Sequence, residues 1–249
     1  MLSSAQEKQR QQLFANTVRA MGERLRPIRE PAELLAALRW GMQELDRTLA
    51  ETSAKVKATV ACRAGCDHCC RVPMDVQAHE VFFAAEHLQT HFPPAELAGV
   101  IARTAVHRAR VAGLTSDARG RLMLPCALLR DGRCSSYEGR PEVCRAHHSN
   151  NAAACLTHLS DPDFPIEKAY IPALRSRLYA VMLGIDEALE AAGYDDRAYD
   201  FGSALHEALT NSLCQTLWMR RKPAFPDSCL ASPCEAAGQS ESPGATDFA

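Results

Sequence analysis

Cys62-Arg63-Ala64-Gly65-Cys66-Asp67-His68-Cys69-Cys70 places four thiols in one short run of the chain. Thiols separated by two or three residues can be turned onto one cation, because a tight turn brings their sulfurs to the roughly 4 Å edge of a tetrahedral thiolate site. Cys126, Cys134, Cys144 and Cys155 follow, so eight of the eleven cysteines lie between positions 62 and 155. Cysteines that serve only as small buried hydrophobes are scattered; this concentration points to ligation. The middle of the chain is therefore expected to be arranged about ligands, with the flanking segments built around it.

The bulk composition sets the frame. A chain of 249 residues, 47% hydrophobic and 23% charged, can bury a sizeable core without covalent staples. Its start, MLSSAQEKQRQQLFANTVRAMGERLR, has no apolar stretch of signal-peptide length, and nowhere is there an apolar run long enough to span a bilayer. These features predict a cytoplasmic protein with reduced thiols. The 28 basic and 30 acidic residues are interspersed, for a net charge of −2, so neither nucleic acid nor a membrane is expected as a partner.

Apolar periodicity predicts helices on both sides of the thiols. Phe14, Val18, Met21 and Leu25, then Leu35, Leu38, Met42, Leu45 and Leu49 after Pro31, read as a helical hairpin over residues 1–57. Residues 58–160 form the cysteine-rich core. Within it Asp75 is expected to cap a helix carrying Val81, Ala85 and Leu88, and a second helix with Leu97, Ile101 and Ala105 starts at Pro93-Pro94. Short runs about Asp131-Gly132 read as a β-hairpin that returns Cys126 and Cys134 toward the first cysteines. Over residues 161–222 two more helices are expected. One carries Ile171, Leu174, Leu178, Val181, Ile185 and Leu189 and stops at Gly193; the other carries Phe201, Leu205, Leu209, Leu213 and Leu217 at four-residue steps. From Pro223 the composition turns to Ser, Pro, Gly and Ala, which predicts a disordered tail over 223–249 holding Cys229 and Cys234, whereas Cys214 is expected to pack on its helix.

The thiol set admits more than one metal. A closed zinc site takes four ligands. Eight thiols therefore suit two ions, or one cluster with thiols to spare, the more so because adjacent Cys69 and Cys70 are expected to point apart. Cys62-x3-Cys66-x2-Cys69 also has the spacing with which radical S-adenosylmethionine enzymes hold three irons of a 4Fe-4S cluster. Those enzymes continue as a β/α barrel, and no alternating strands follow here. Arg63, Arg71, Arg133, Arg140 and Arg145 lie near the thiols in sequence and could offset thiolate charge. His68, His147 and His148 are alternative ligands. His87 and His91 share a helical face without a carboxylate to complete a site. His79-Glu80 and His206-Glu207 lack the second histidine of a zinc-protease helix, and no nucleotide-binding or nucleophile-elbow motif is present.

Taken together, CRAGCDHCCRVPMDVQAHE and the later PCALLRDGRCSSYEGRPEVCR resemble the YkgJ-type cysteine-cluster proteins, which chelate zinc or iron and are patterned as CxxCxxCC. The likeness covers about residues 58–160. It implies a metal-binding role for Cys62, Cys66, Cys69, Cys70, Cys126, Cys134 and Cys144, with Cys155 as an eighth ligand. The first gap here is three residues, where the pattern has two. The same family includes flagellin lysine-N-methylases, so the resemblance also implies a cluster-dependent S-adenosylmethionine methyltransferase acting on a protein lysine.

The expected architecture is mainly α, a single helical domain with a small β-hairpin around a cysteine-liganded metal centre. The expected function is metal binding, with an iron-sulfur cluster of the 4Fe-4S type or zinc as cofactor. The methyltransferase, with its protein substrate, and a zinc-stabilised interaction scaffold are the alternatives, and catalytic residues are not identified.

Overall fold

The computed structural model describes residues 3–232. Its eleven α-helices are α1 (Ser4–Leu25), α2 (Pro31–Ala50), α3 (Ala54–Lys57), α4 (Ala78–His91), α5 (Pro94–Val111), α6 (Ser116–Gly120), α7 (Glu142–Ala146), α8 (Ala152–Ser160), α9 (Pro172–Ala191), α10 (Phe201–Thr210) and α11 (Leu213–Met219). Four two-residue strands complete the regular structure: β1 (Asp75–Val76), β2 (Leu129–Arg130), β3 (Arg133–Cys134) and β4 (Tyr199–Asp200). β2 pairs with β3 and β1 with β4, both antiparallel. The architecture is mainly α with a small hairpin, as the periodicity predicts.

The helix starts follow from capping chemistry. Ser3 and Gln6 form a reciprocal box at α1, and Glu30 with Glu33 forms another at α2, whose first residue is Pro31. The cap of α4 is Gln77, paired with Glu80, and not Asp75. Asp75 lies in β1 opposite Asp200 and accepts from Arg119 Nη2 at 2.6 Å. A carboxylate bound to a buried guanidinium has no need of a helix amide, so the cap passes two residues on.

α9 is the scaffold. Leu174, Leu178, Val181, Ile185 and Leu189 are buried along it, and Gly193, at φ +78°, ends the segment in the left-handed conformation glycine favours. α1 packs chiefly along α9 and only slightly against α2, so the first two helices are arms laid on α9, not a self-contained hairpin. The close approach depends on Gly184, where a Cβ would stand 2.8 Å from Thr17 Cβ and 3.1 Å from the Phe14 carbonyl oxygen. On the opposite side α10 packs against α4 and α5.

The expected helix over 201–217 is two helices. Steps of four residues drift by about 40° each, so five leucine-type positions cannot stay on one buried stripe. The chain breaks at Asn211, whose side chain accepts from the Leu213 amide at 3.2 Å. In α11 Cys214 and Trp218 are buried, while Leu213 and Leu217 are exposed.

The expected tail also begins later than Pro223. Ala224, Phe225, Cys229, Leu230 and Ala231 are buried, and Phe82 stacks on both Trp218 (4.8 Å) and Phe225 (5.0 Å). Arg119 Nε donates to the Ala231 carbonyl at 3.2 Å. Phe225 and Leu230 supply the apolar area that the surrounding Ser and Pro residues conceal in a composition count. Cys229 is thus a core residue; Cys234 and the rest of the expected tail lie outside the described residues. No helix among the described residues is long and apolar enough to cross a membrane.

Candidate metal centre

The cysteine run is a loop followed by a single 3₁₀ turn over His68–Arg71. Gly65, at φ +85°, makes the reversal between Cys62 and Cys66, where a side chain would be strained. Arg71 closes the turn through Asp67, with Nη2 to Oδ2 at 2.7 Å.

Two later segments are tied back to this run by backbone bonds. The Cys126 amide donates to the Cys70 carbonyl at 2.7 Å, and the Ala61 amide to the Ser149 carbonyl at 2.8 Å. The Ser149 amide lies 3.4 Å from Cys62 Sγ, and the sulfur in turn is 3.8 Å from the Ser149 carbonyl. α8, which carries Cys155, packs on the 3₁₀ turn. The hairpin closes through Asp131 (φ +49°) and Gly132 (φ +72°), the left-handed pair of a type I′ turn, and leaves Cys134 opposite Leu129. Cys144 on α7 points into the protein with Sγ 3.3 Å from Met74 Sδ.

Electrostatics trace the resulting neighbourhood. Burial pushes up the thiols of Cys62, Cys126, Cys134 and Cys144, with Cys126 reaching about 12. Cys69 adds to the rise at all four, so it lies at the junction of the set. Its own thiol is raised first by its neighbour Cys70 and then by burial. The two adjacent thiols thus feel each other across the 3₁₀ turn. Cys62 also feels Cys66 and Cys155. Among the described residues no three of these sulfurs lie within 4.8 Å of one another, and all ten cysteines are free thiols.

Most of the nearby arginines serve oxygen, not sulfur. Arg145 is buried and donates to Asp46 Oδ2 at 2.5 Å, to the Arg140 carbonyl at 3.1 Å and to the Glu138 carbonyl. Arg140 donates to the Tyr137 carbonyl at 2.6 Å and stacks on its ring. Arg63 and Arg133 are exposed. Arg140 does lower the Cys134 thiol, and Arg103, far off in sequence, lowers that of Cys126 while its Nε holds the Ala127 carbonyl at 2.7 Å. Of the candidate histidines, His68 lies 3.8 Å from Asp67. His147 packs edge-on to Tyr170 and is lowered by burial to about 4, and burial lowers His148 as well. Burial thus favours the neutral form of both rings, the form in which imidazole ligates.

A second constellation went unnoticed in the sequence because its members lie on three separate helices. His79 on α4, Glu142 on α7 and Asp186 on α9 bring their ligand atoms within 4.8 Å of one another. Burial pushes Glu142 up to about 8 and Asp186 to about 8, and Glu80, beside them, to about 7. The partners of His79 do not lie along α4, so no single-helix motif contains them.

The thiols suit zinc or iron in donor chemistry, since soft thiolates select these metals and the segments holding them converge without a disulfide. No curated protein and no solved structure matches the chain significantly. A family model does match, over the segment that gathers all eight thiols: residues 61–162 match the CxxCxxCC model, described as a "putative zinc- or iron-chelating domain".

Proposed function

We propose that the protein binds metal through the thiolates of Cys62, Cys66, Cys69, Cys70, Cys126, Cys134, Cys144 and Cys155, and that the centre is an iron-sulfur cluster. The observation that carries this reading is the return of two sequence-distant segments to the cysteine run through the Cys126–Cys70 and Ala61–Ser149 backbone bonds and the Ser149 amide on Cys62 Sγ. Chain topology of this kind has no purpose in a set of packing cysteines, most of which here are only partly buried. The preference for a cluster rests on the thiol count, which is twice the four ligands of a closed zinc site, and on the spacing Cys62-x3-Cys66-x2-Cys69.

A cluster would supply one-electron chemistry at this place. The protein's own part is to hold the thiolates at fixed positions, to limit water through burial of Cys126 and Cys144, and to bias charge through Arg103 and Arg140. The test is anaerobic purification followed by metal and sulfide analysis and a visible spectrum. Brown protein containing iron and acid-labile sulfide is the expected result. Colourless protein with zinc bound to the same thiols would replace the cluster with structural zinc, and protein free of both metals after anaerobic loading would overturn the reading.

A further inference from the structure

The thiol centre leaves His79, Glu142 and Asp186 without a role. His79 Nε2 stands 3.2 Å from Glu142 Oε1 and 3.6 Å from Asp186 Oδ1. Neighbouring ligands about 2.1 Å from one ion are roughly 3.0 to 3.4 Å apart, so these separations are close to those of a shared cation. The side chains of His79 and Glu142 are 1% exposed, whereas that of Asp186 is 20% exposed and gives the site an edge on solvent.

Two details set this cluster apart from an ordinary buried ion pair. Glu142 Oε2 is fully buried and has no hydrogen-bond partner. Such an oxygen has lost its water without a replacement unless something completes it. In addition, Glu142 is held in place by a device of its own: Glu80 accepts from the Gln77 amide at 2.8 Å and the Val143 amide at 3.2 Å, clamping the first turn of α7 onto α4. Glu80 is consumed by that clamp and positions Glu142 beside His79. Arg145, the guanidinium that lowers Glu142, is occupied by Asp46 and two carbonyls. One imidazole thus faces two carboxylates with no further cation bonded to them among the described residues.

We infer that His79, Glu142 and Asp186 form a second cation site, of nitrogen and oxygen donors, for a first-row divalent ion such as Mn²⁺ or Fe²⁺. The donor set decides the class. One imidazole excludes a preference for Ca²⁺ or Mg²⁺, which favour all-oxygen shells, and two carboxylates disfavour the soft ions that thiolates select. The orphan Glu142 Oε2 is the oxygen that an ion would satisfy. This site is independent of the thiol reading, although Cys144 follows Glu142 by two residues on α7.

Mn²⁺ is the probe, because it binds carboxylate and imidazole but competes poorly for thiolate. The full chain, prepared anaerobically, is titrated with Mn²⁺ while the paramagnetic resonance signal of the free ion is followed. Wild-type protein is expected to withdraw one equivalent. Asp186→Asn and Glu142→Gln are each expected to weaken uptake at least tenfold, and Asp117→Asn, which removes an exposed carboxylate on α6, to leave it unchanged. Circular dichroism checks that the variants are folded; Asp186, with its edge in solvent, gives the substitution with the smallest structural cost. No uptake by wild type at millimolar Mn²⁺ would overturn the site and leave a buried polar cluster held by its own hydrogen bonds. Undiminished uptake in folded Asp186→Asn, or uptake weakened as much in Asp117→Asn, would likewise overturn it. Metal analysis of the same sample for iron and zinc keeps a failure of the thiol centre distinguishable from a failure of this site.

Discussion

The amide of Cys126 donates to the carbonyl of Cys70 at 2.7 Å, joining the strand end of the hairpin to the last thiol of the cysteine run. Around this bond lie few large apolar residues. Leu128 and Ala146 are buried, but Tyr137 is exposed and no long helix spans residues 120–150. The segment must draw its stability from ligation and from the Arg145–Asp46 pair, which ties it to α2.

Removal of metal should therefore loosen the middle of the chain before its ends. Hydrogen exchange on chelated protein is expected to show early loss of protection at 120–155, while α1, α2 and α9 keep theirs through their own buried faces. Uniform loss along the chain, or none, would contradict the dependence on ligation.

Gly184 gives a test of the scaffold. Alanine there gains up to about 1 kcal/mol in helix propensity. Its Cβ would meet Thr17 Cβ at 2.8 Å and the Phe14 carbonyl oxygen at 3.1 Å, atoms that cannot swing away. Overpacking of this kind costs about 1–3 kcal/mol, so Gly184→Ala should be net destabilising by about 1–2 kcal/mol in chemical denaturation. A stabilised variant would mean that α1 yields and that its contact with α9 is loose.

Much of the fold was legible because long helices advertise themselves through periodicity. α1, α2, α4, α5 and α9 are found where the apolar spacing and the prolines put them, and the hairpin where Asp131-Gly132 does. The errors have local causes. Asp75 is a sound cap by type, but Arg119 claims it from far along the chain, and a long-range ion pair leaves no local trace. Leu213 and Leu217 look like a stripe until the 40° drift is counted. Phe225 and Leu230 anchor a segment whose average composition is that of a linker. The cysteines were legible as a set because ligand spacing is short range. The His79, Glu142 and Asp186 cluster was not, because it depends on how α4, α7 and α9 meet.

His147 supplies a dependence on pH. Burial, with Arg175 as the next cause, lowers it from the ordinary 6.5 to about 4. A folded value below the unfolded one means that the neutral ring's contribution is complete above pH 6.5 and is lost as pH falls from 6.5 toward 4. The maximum loss is about 3 kcal/mol, reduced by the partial exposure of the ring. His147→Phe keeps an aromatic edge against Tyr170 and removes the titration. Urea denaturation at pH about 7 and about 4.5 should show a smaller acid penalty in the variant than in wild type. Equal penalties would place the acid sensitivity elsewhere.

Substitution separates ligands from packing cysteines. Cys66 lies in the middle of the run, beside the Gly65 reversal, and its amide is fixed by the Arg63 carbonyl at 2.9 Å. In Cys66→Ser a hydroxyl that stays protonated replaces a soft thiolate, so much of the bound metal should be lost. Cys214 is 2% exposed in the apolar core beneath α11, and burial pushes its thiol up to about 11, so it stays protonated and acts as a small hydrophobe. Cys214→Ser should keep the full metal content and lose roughly 1 kcal/mol, with the hydroxyl bonding back to the preceding turn. Metal analysis of the two variants beside wild type reads the contrast directly. Equal metal loss in both would extend ligation into the C-terminal helices, where the structure has only packing, and full retention in Cys66→Ser would remove the run from the ligand set.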